Sequence, residues 1–248
     1  MNGAKAIVSG HSRGLGAVIA GELLERGIPV LGLARMGNPV LAAQHGDALA
    51  EVGLDLADSA ALAAWLAGAA LEAWVADARQ LLLVNNAGTL QPMGPLPLQD
   101  AAEVARAVAV NVAAPLMLAA ALAQAGAGTV RERRVLHVSS GAARTPYAGW
   151  SVYCATKAAL DHHARAVQAD ATPGLRICAL APGVIDTGMQ GEIRASTRER
   201  FALRERFVRM HASGELVAPA ECAMHLVDFL LDPDFGREPV ADLRELMR

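Results

Sequence analysis

What this 248-residue chain lacks narrows the field before any motif is considered. It has no block of lysines or arginines, and its formal net charge is −3. Nothing therefore points to nucleic acid or an anionic membrane as a partner. Its three cysteines, Cys154, Cys178 and Cys222, have neither paired nor CxxC spacing. That excludes a disulfide framework read from spacing and leaves reduced thiols. No Gly/Pro/Ser-rich linker and no internal repeat divides the chain, so one domain is expected. The opening "MNGAKAIVSG" runs directly into a strand-like segment, which leaves no room for a secretory signal. The longest alanine-leucine runs are broken by charge, Gly or Pro, so no transmembrane span is expected. With 53% apolar and 19% charged residues, the composition is that of a well-packed cytoplasmic globule.

What is present is an alternation. Apolar runs at 4–10, 29–35, 49–56, 80–88, 133–140 and 175–183 read as buried strands. Helical patterns occupy 14–26, an alanine-rich stretch capped by Ser59, 100–125 and 151–171, and residues 89–99 form a proline-marked loop. Near-continuous apolar strands separated by helices predict an α/β fold, a doubly wound parallel sheet with helices on both faces. The charged stretch 186–218 interleaves Phe201, Leu203, Phe207 and Met210. It reads as amphipathic helices outside the sheet, with 186–215 a substrate lid. "PVADL" near the end suggests a last short strand.

"SGHSRGLG" stands where the first strand meets the first helix and places glycines at 10, 14 and 16. Such glycines permit a tight turn and let a pyrophosphate approach the free N–H groups of the helix N-terminus. A plain strand-to-helix turn would use them too. A site for NAD usually puts an acid at the end of the second strand, on the ribose 2′-hydroxyl. Here no acidic residue occurs between Ile28 and Gly46; Arg35 ends the strand and Arg13 lies in the glycine loop. Two guanidiniums there suit a 2′-phosphate, hence NADP(H), unless both are ordinary surface arginines. Asp55, ending the third strand, reads either as an acceptor for the adenine amino group or as a turn aspartate.

Ser140, Tyr153 and Lys157 form S-x12-Y-x3-K. Four residues apart on a helix, the phenol and the ammonium share one face. Carbonyl reduction needs a proton at oxygen while hydride arrives at carbon. A nearby ammonium favours phenolate and is expected to lower the tyrosine pKa, and a serine hydroxyl can hold the substrate oxygen. Trp150 reads as a wall of the substrate pocket or as plain packing. Adjacent His162 and His163 point about 100° apart on a helix and make a poor metal pair. His137 reads as core, and no metal site is expected.

The glycine loop, "NNAG" (85–88), the Asn of "VNVAAP" (110–115), S-x12-Y-x3-K and "PGVIDT" (182–187) occur in the order of the short-chain dehydrogenase/reductase family, which the chain resembles over nearly its whole length. The resemblance implies a seven-stranded Rossmann-type sheet, with Tyr153 as acid/base, Lys157 lowering its pKa and holding the nicotinamide ribose, and Ser140 orienting the carbonyl. It implies that Asn111 supports a water that relays protons to the lysine; the alternative is a residue pinning a helix kink. Gly10, Ser12, Arg13, Gly14, Leu15, Gly16, Asn86, Ala87 and Gly88 would line the cofactor, with Pro182, Gly183, Val184 and Thr187 at its nicotinamide end. Pairing through helices 100–125 and 151–171 would give a homodimer or homotetramer. A narrower likeness, in "SRGLG", "LGLAR" and "DPDFGREPVADL", is to the sepiapterin reductase branch and its benzil-reductase-like relatives. That branch implies NADPH-dependent reduction of a dicarbonyl or pterin-like ketone, with Asp242 anchoring an amino-bearing ring; the alternative is that Asp242 pairs with Arg244 or Arg237 or satisfies a backbone turn. Ser9 departs from the family's threonine, and the loop after "NNAG" is individual, so the substrate stays open. The competing functions are an NAD-dependent alcohol dehydrogenase and a non-catalytic NADP(H)-binding regulator.

Overall fold

A computed structural model describes residues 3–247. Seven strands, β1 (Ala4–Ser9), β2 (Val30–Ala34), β3 (Leu49–Gly53), β4 (Gln80–Asn85), β5 (Glu132–Val138), β6 (Leu175–Ala181) and β7 (Val240–Asp242), form one parallel sheet in the order β3-β2-β1-β4-β5-β6-β7. The helices are α1 (Gly14–Glu25), α2 (Pro39–His45), α3 (Ser59–Leu66), α4 (Ala69–Val75), α5 (Ala101–Val108), α6 (Ala114–Gln124), α7 (Ser151–Ala169), α8 (Gly188–Ala195), α9 (Arg204–Ala212), α10 (Pro219–Leu231) and α11 (Leu243–Leu246).

Strand pleating divides the core. Val8, Val84, Leu136 and Leu180 point to one face, under α1 and α10. Ile7, Leu83, Val135 and Ala179 point to the other, under α3, α4, α6 and α7. Both faces are apolar because both are covered. The strand order reverses between β1 and β4, so their carboxyl ends open the crevice where ligands of such sheets bind.

The structure corrects several boundaries. β3 stops at Gly53, leaving Asp55 two residues past the strand. The cap of α3 is Asp58, whose carboxylate accepts from the Ala61 amide at 2.9 Å; Ser59 is the first helical residue. The helix expected over 100–125 is broken by a π turn, Ala109–Ala113, centred on Asn111. The combined stretch Ala101–Gln124 is long and apolar enough to cross a bilayer by composition (mean hydropathy 1.8), where none was expected, because its charges, Glu103 and Arg106, cluster at one end. In the fold it is a core helix, with Ala114, Leu118 and Leu122 buried against the sheet.

Candidate active site

The phosphate loop follows β1. Gly10 and Gly14 have φ of +73° and +59°, a region that favours glycine. A Cβ on Gly16 would overlap the Gly10 carbonyl, so the helix can approach the loop only without one. α1 begins at Gly14 with no side-chain cap and no acid in its first turn. Its first N–H groups and its dipole are thus presented to an anion, and the space above Gly14 is open. Ser9 ties this loop to the next: its hydroxyl accepts from the amides of Asn86 (3.0 Å) and Ala87 (3.1 Å). The Asn86 side chain donates back to the Ser9 carbonyl at 3.1 Å. The serine that departs from the family's threonine therefore keeps its hydroxyl at work.

Arg13 and Arg35 are exposed, and neither has a carboxylate within ion-pair distance among the described residues. Asp55 accepts from the Ala57 amide at 3.0 Å and pairs with Arg106 at 3.0 Å.

Across the crevice, α7 carries Tyr153 and Lys157 on its sheet-facing side, both buried. The Lys157 ammonium donates to the Val138 carbonyl at 2.7 Å and lies 5.7 Å from the Tyr153 ring centre. Ser140, one residue past Ser139 at the end of β5, caps a short helical turn, Gly141–Ala143. Ser139 donates to Asp161, whereas Ser140 is the serine within hydrogen-bond reach of the Tyr153 hydroxyl. Gly88, Asn111 and Lys157 converge: a Cβ on Gly88 would stand 3.4 Å from Asn111 Oδ1 and 3.8 Å from Lys157 Nζ. The Asn111 side chain is fully engaged, accepting from the Thr89 amide (2.8 Å) and donating to the Thr89 carbonyl (2.9 Å) and Thr156 Oγ1 (3.1 Å). These bonds fix the side chain within the π turn; such turns recur at functional sites.

One electrostatic expectation fails. Burial pushes the Tyr153 phenol up to about 12, with Ser140 acting in the opposite direction. Burial also lowers Lys157 to about 8 against the pull of Asp161. The ammonium turns to a carbonyl rather than to the phenol, so desolvation outweighs attraction at the tyrosine. Asp161 itself went unnoticed in the sequence. It is buried one turn beyond Lys157, and the stripe Tyr153, Lys157, Asp161 has the same four-residue spacing that picked out the first two.

Trp150 stacks on Phe201 (centroids 4.4 Å apart, 9° between planes) and meets Tyr153 edge-on at 5.5 Å. It therefore packs in the apolar cluster and borders the tyrosine. Phe201, Phe207 and Ile193, from the stretch expected to be a lid, close against it with Leu90 and Met93. The two ends of that stretch are joined outside the sheet, where Ile185 bridges Val217. Val184 packs at the edge of this cluster, Gly183 has φ +89°, and Thr187 precedes α8. The Asp242 carboxylate pairs with Arg244 at 2.8 and 2.6 Å and caps α11 through the Arg244 amide, with Arg144 at 3.9 Å. Of the histidines, His162 is exposed, while His137 is fully buried and meets His163 at 3.1 Å. Burial lowers His137 to about 3, so it is neutral near pH 7.

Residues 4–198 match the short chain dehydrogenase family. The chain belongs to that family. This short-chain dehydrogenase is an oxidoreductase of carbonyl and alcohol groups, and the family binds a nicotinamide cofactor, for which the uncapped α1 and the glycine cradle are fitted. It is 31% identical over 245 residues to benzil reductase ((S)-benzoin forming) of Bacillus cereus, covering 96% of this chain and 98% of that one. It is 31% identical over 245 residues to sepiapterin reductase of Meriones unguiculatus, covering 94% and 93%. Among solved structures, a short-chain dehydrogenase/reductase of Burkholderia vietnamiensis is 54% identical, with 98% of each chain covered and a TM-score of 0.72.

Proposed function

We propose that this dehydrogenase reduces a carbonyl group, one of a vicinal dicarbonyl or a pterin-like ketone, with NADP(H) and with Tyr153 as the proton donor. The observation that carries the proposal is the burial of Tyr153 and Lys157 on one face of α7, beside Ser140 at the carboxyl edge of the sheet. A bound reduced nicotinamide supplies the hydride. Ser140 donates to the substrate oxygen and holds it near the phenol. Tyr153, protonated throughout the neutral range, gives its proton to that oxygen as negative charge develops there. Lys157, with Asn111 beside Gly88, returns a proton to the tyrosine and positions the ribose. The unpaired Arg13 and Arg35 favour a 2′-phosphate. The names of the two curated relatives support a dicarbonyl or pterin substrate. We place the enzyme in the cytoplasm, as a homo-oligomer paired through the outer faces of α5, α6 and α7.

The direct test is NADPH and NADH consumption with a panel of benzil-like diketones, pterin ketones and simple ketones. Turnover of a diketone or pterin with NADPH is expected. No turnover of any carbonyl with either cofactor would leave only a binding protein.

The pH profile is expected to follow Lys157. The ammonium is the useful form, and its pKa of about 8 places its loss within reach. Reduction should be flat on the acid side of neutrality and decline through an apparent pKa of about 8. A profile level to pH ~10, the ordinary lysine range, would show that burial does not govern this group during turnover.

Residues 186–215 act as the lid. Phe201 and Phe207 fill the space above Trp150 and Tyr153, so a substrate enters only when they move. Hydrogen exchange in α8 and α9 is expected to be fast without ligand and to slow when NADPH and a non-reacting substrate analogue are added. Strong, equal protection in both states would rule out the lid.

A further inference from the structure

His11 sits in the phosphate loop but faces away from it. Its ring is completely buried over β2, at Gly32; a methyl group on Gly32 would overlap the ring. Parallel register sets Glu51 of β3 beside Gly32, and His11 Nε2 meets the Glu51 carboxylate at 2.7 Å. The same carboxylate oxygen accepts the Asn38 amide at 2.6 Å. The Asn38 side chain donates to the His11 carbonyl at 3.4 Å, and its oxygen caps α2 through the Leu41 amide at 3.1 Å. The other Glu51 oxygen stands 3.0 Å from where a Cβ on Gly37 would lie. Phosphate loop, β3 and the 35–38 loop are thereby closed into one ring of contacts, and two positions without side chains, Gly32 and Gly37, make room for it. At the other end of that loop, the Ala34 carbonyl accepts from the Leu54 amide at 2.9 Å.

We infer that His11 is a positioning residue for cofactor choice: it ties the Glu51 carboxylate to the sheet and to the Asn38 amide, so that the 35–38 loop offers Arg35, and no free carboxylate, to the 2′ position of the adenosine ribose. This rests on the NADP(H) reading above. Residues 28–46 contain no acid, so Glu51, reaching across from β3, supplies the carboxylate nearest that loop. A carboxylate free to turn there would accept from a 2′-hydroxyl and repel a 2′-phosphate, the arrangement that selects NAD. Although burial opposes it, the bonds from Asn38 and His11 keep the Glu51 carboxyl below its usual range, so the charge is present and must be held.

The test is a set of dissociation constants for NADPH and NADH, followed by nicotinamide fluorescence, with thermal unfolding recorded for each protein. His11→Ala should weaken NADPH about tenfold while NADH changes little, a shift of about 1.4 kcal/mol in preference. Glu51→Gln should keep the preference, and His11→Ala/Glu51→Gln should recover NADPH affinity. Glu51→Asp, which keeps the charge but is too short to reach His11, should shift the preference in the same direction as His11→Ala and serves if His11→Ala does not fold. Equal weakening of both cofactors, or no rescue by Glu51→Gln, would reduce His11 to a packing residue and overturn the inference. The wild-type protein separates the two levels: equal affinity for NADPH and NADH removes the cofactor reading and the inference with it, whereas a wild-type preference for NADPH unchanged in His11→Ala and Glu51→Asp removes the inference alone.

Discussion

A Tyr153→Phe enzyme is expected to bind NADPH with wild-type affinity and to reduce its carbonyl substrate at least about a thousandfold more slowly. The substitution removes one oxygen and leaves the ring, so the edge-on contact with Trp150 at 5.5 Å is kept. The site is buried, so no bulk water takes the place of the lost donor. Because burial raises the phenol to about 12, Tyr153 holds its proton at neutral pH, as a donor in the reductive direction must. The same shift leaves little phenolate near neutrality. Stopped-flow NADPH oxidation measures the rate, and a fluorescence titration measures the affinity. Activity within tenfold of wild type would remove Tyr153 from the chemistry.

Arg35→Asp should lower the ratio of kcat/KM for NADPH to that for NADH about a hundredfold. Two effects act together: the attraction of an exposed guanidinium with no ion-pair partner among the described residues is lost, and a carboxylate able to bond a 2′-hydroxyl is introduced. At about 1.4 kcal/mol per factor of ten, the change asks for about 3 kcal/mol, within the range of a charge reversal against a phosphate. Arg13 remains, so NADPH binding should weaken without vanishing. An unchanged ratio would mean that Arg35 does not face the ribose.

The sheet was legible because its strands are buried on both faces and so read as short apolar runs, such as "QLLLVNNAG". The site was legible because S-x12-Y-x3-K joins a strand end to a helix face through fixed geometry. What escaped depends on pairings between segments distant in the chain. The cap of α3 fell to Asp58 rather than Ser59, because either neighbour can cap and the chain's approach decides. The kink weighed at Asn111 is a π turn; Pro115, with no N–H for the Asn111 carbonyl, marks the place in sequence, but the contact of Asn111 with Thr89, 22 residues back, does not show in any local periodicity. Lys157 and Tyr153 were placed on one face correctly, yet their pKa values follow burial, which spacing does not reveal. His11 and Glu51 are 40 residues apart, and the missing side chain at Gly32 that lets them meet looks in sequence like an ordinary strand glycine.

The excursion that begins after Ile185 and ends at Val217 has a consequence for how substrate range can be altered. Its two feet are joined by backbone bonds, from Asp186 N to the Val217 carbonyl and from Val217 N to the Val184 carbonyl, each 3.0 Å. Everything between them lies outside the sheet and supplies Ile193, Phe201 and Phe207 to the apolar cluster that holds Tyr153. Such a segment is a cassette. The corresponding stretch of a relative with other substrates, grafted between the same two feet, would meet an unchanged sheet, proton donor and cofactor cradle. One requirement on such a graft lies elsewhere in the chain: Gly149, where any side chain would strike the Arg200 carbonyl, must stay bare, or the incoming loop must turn differently at that point.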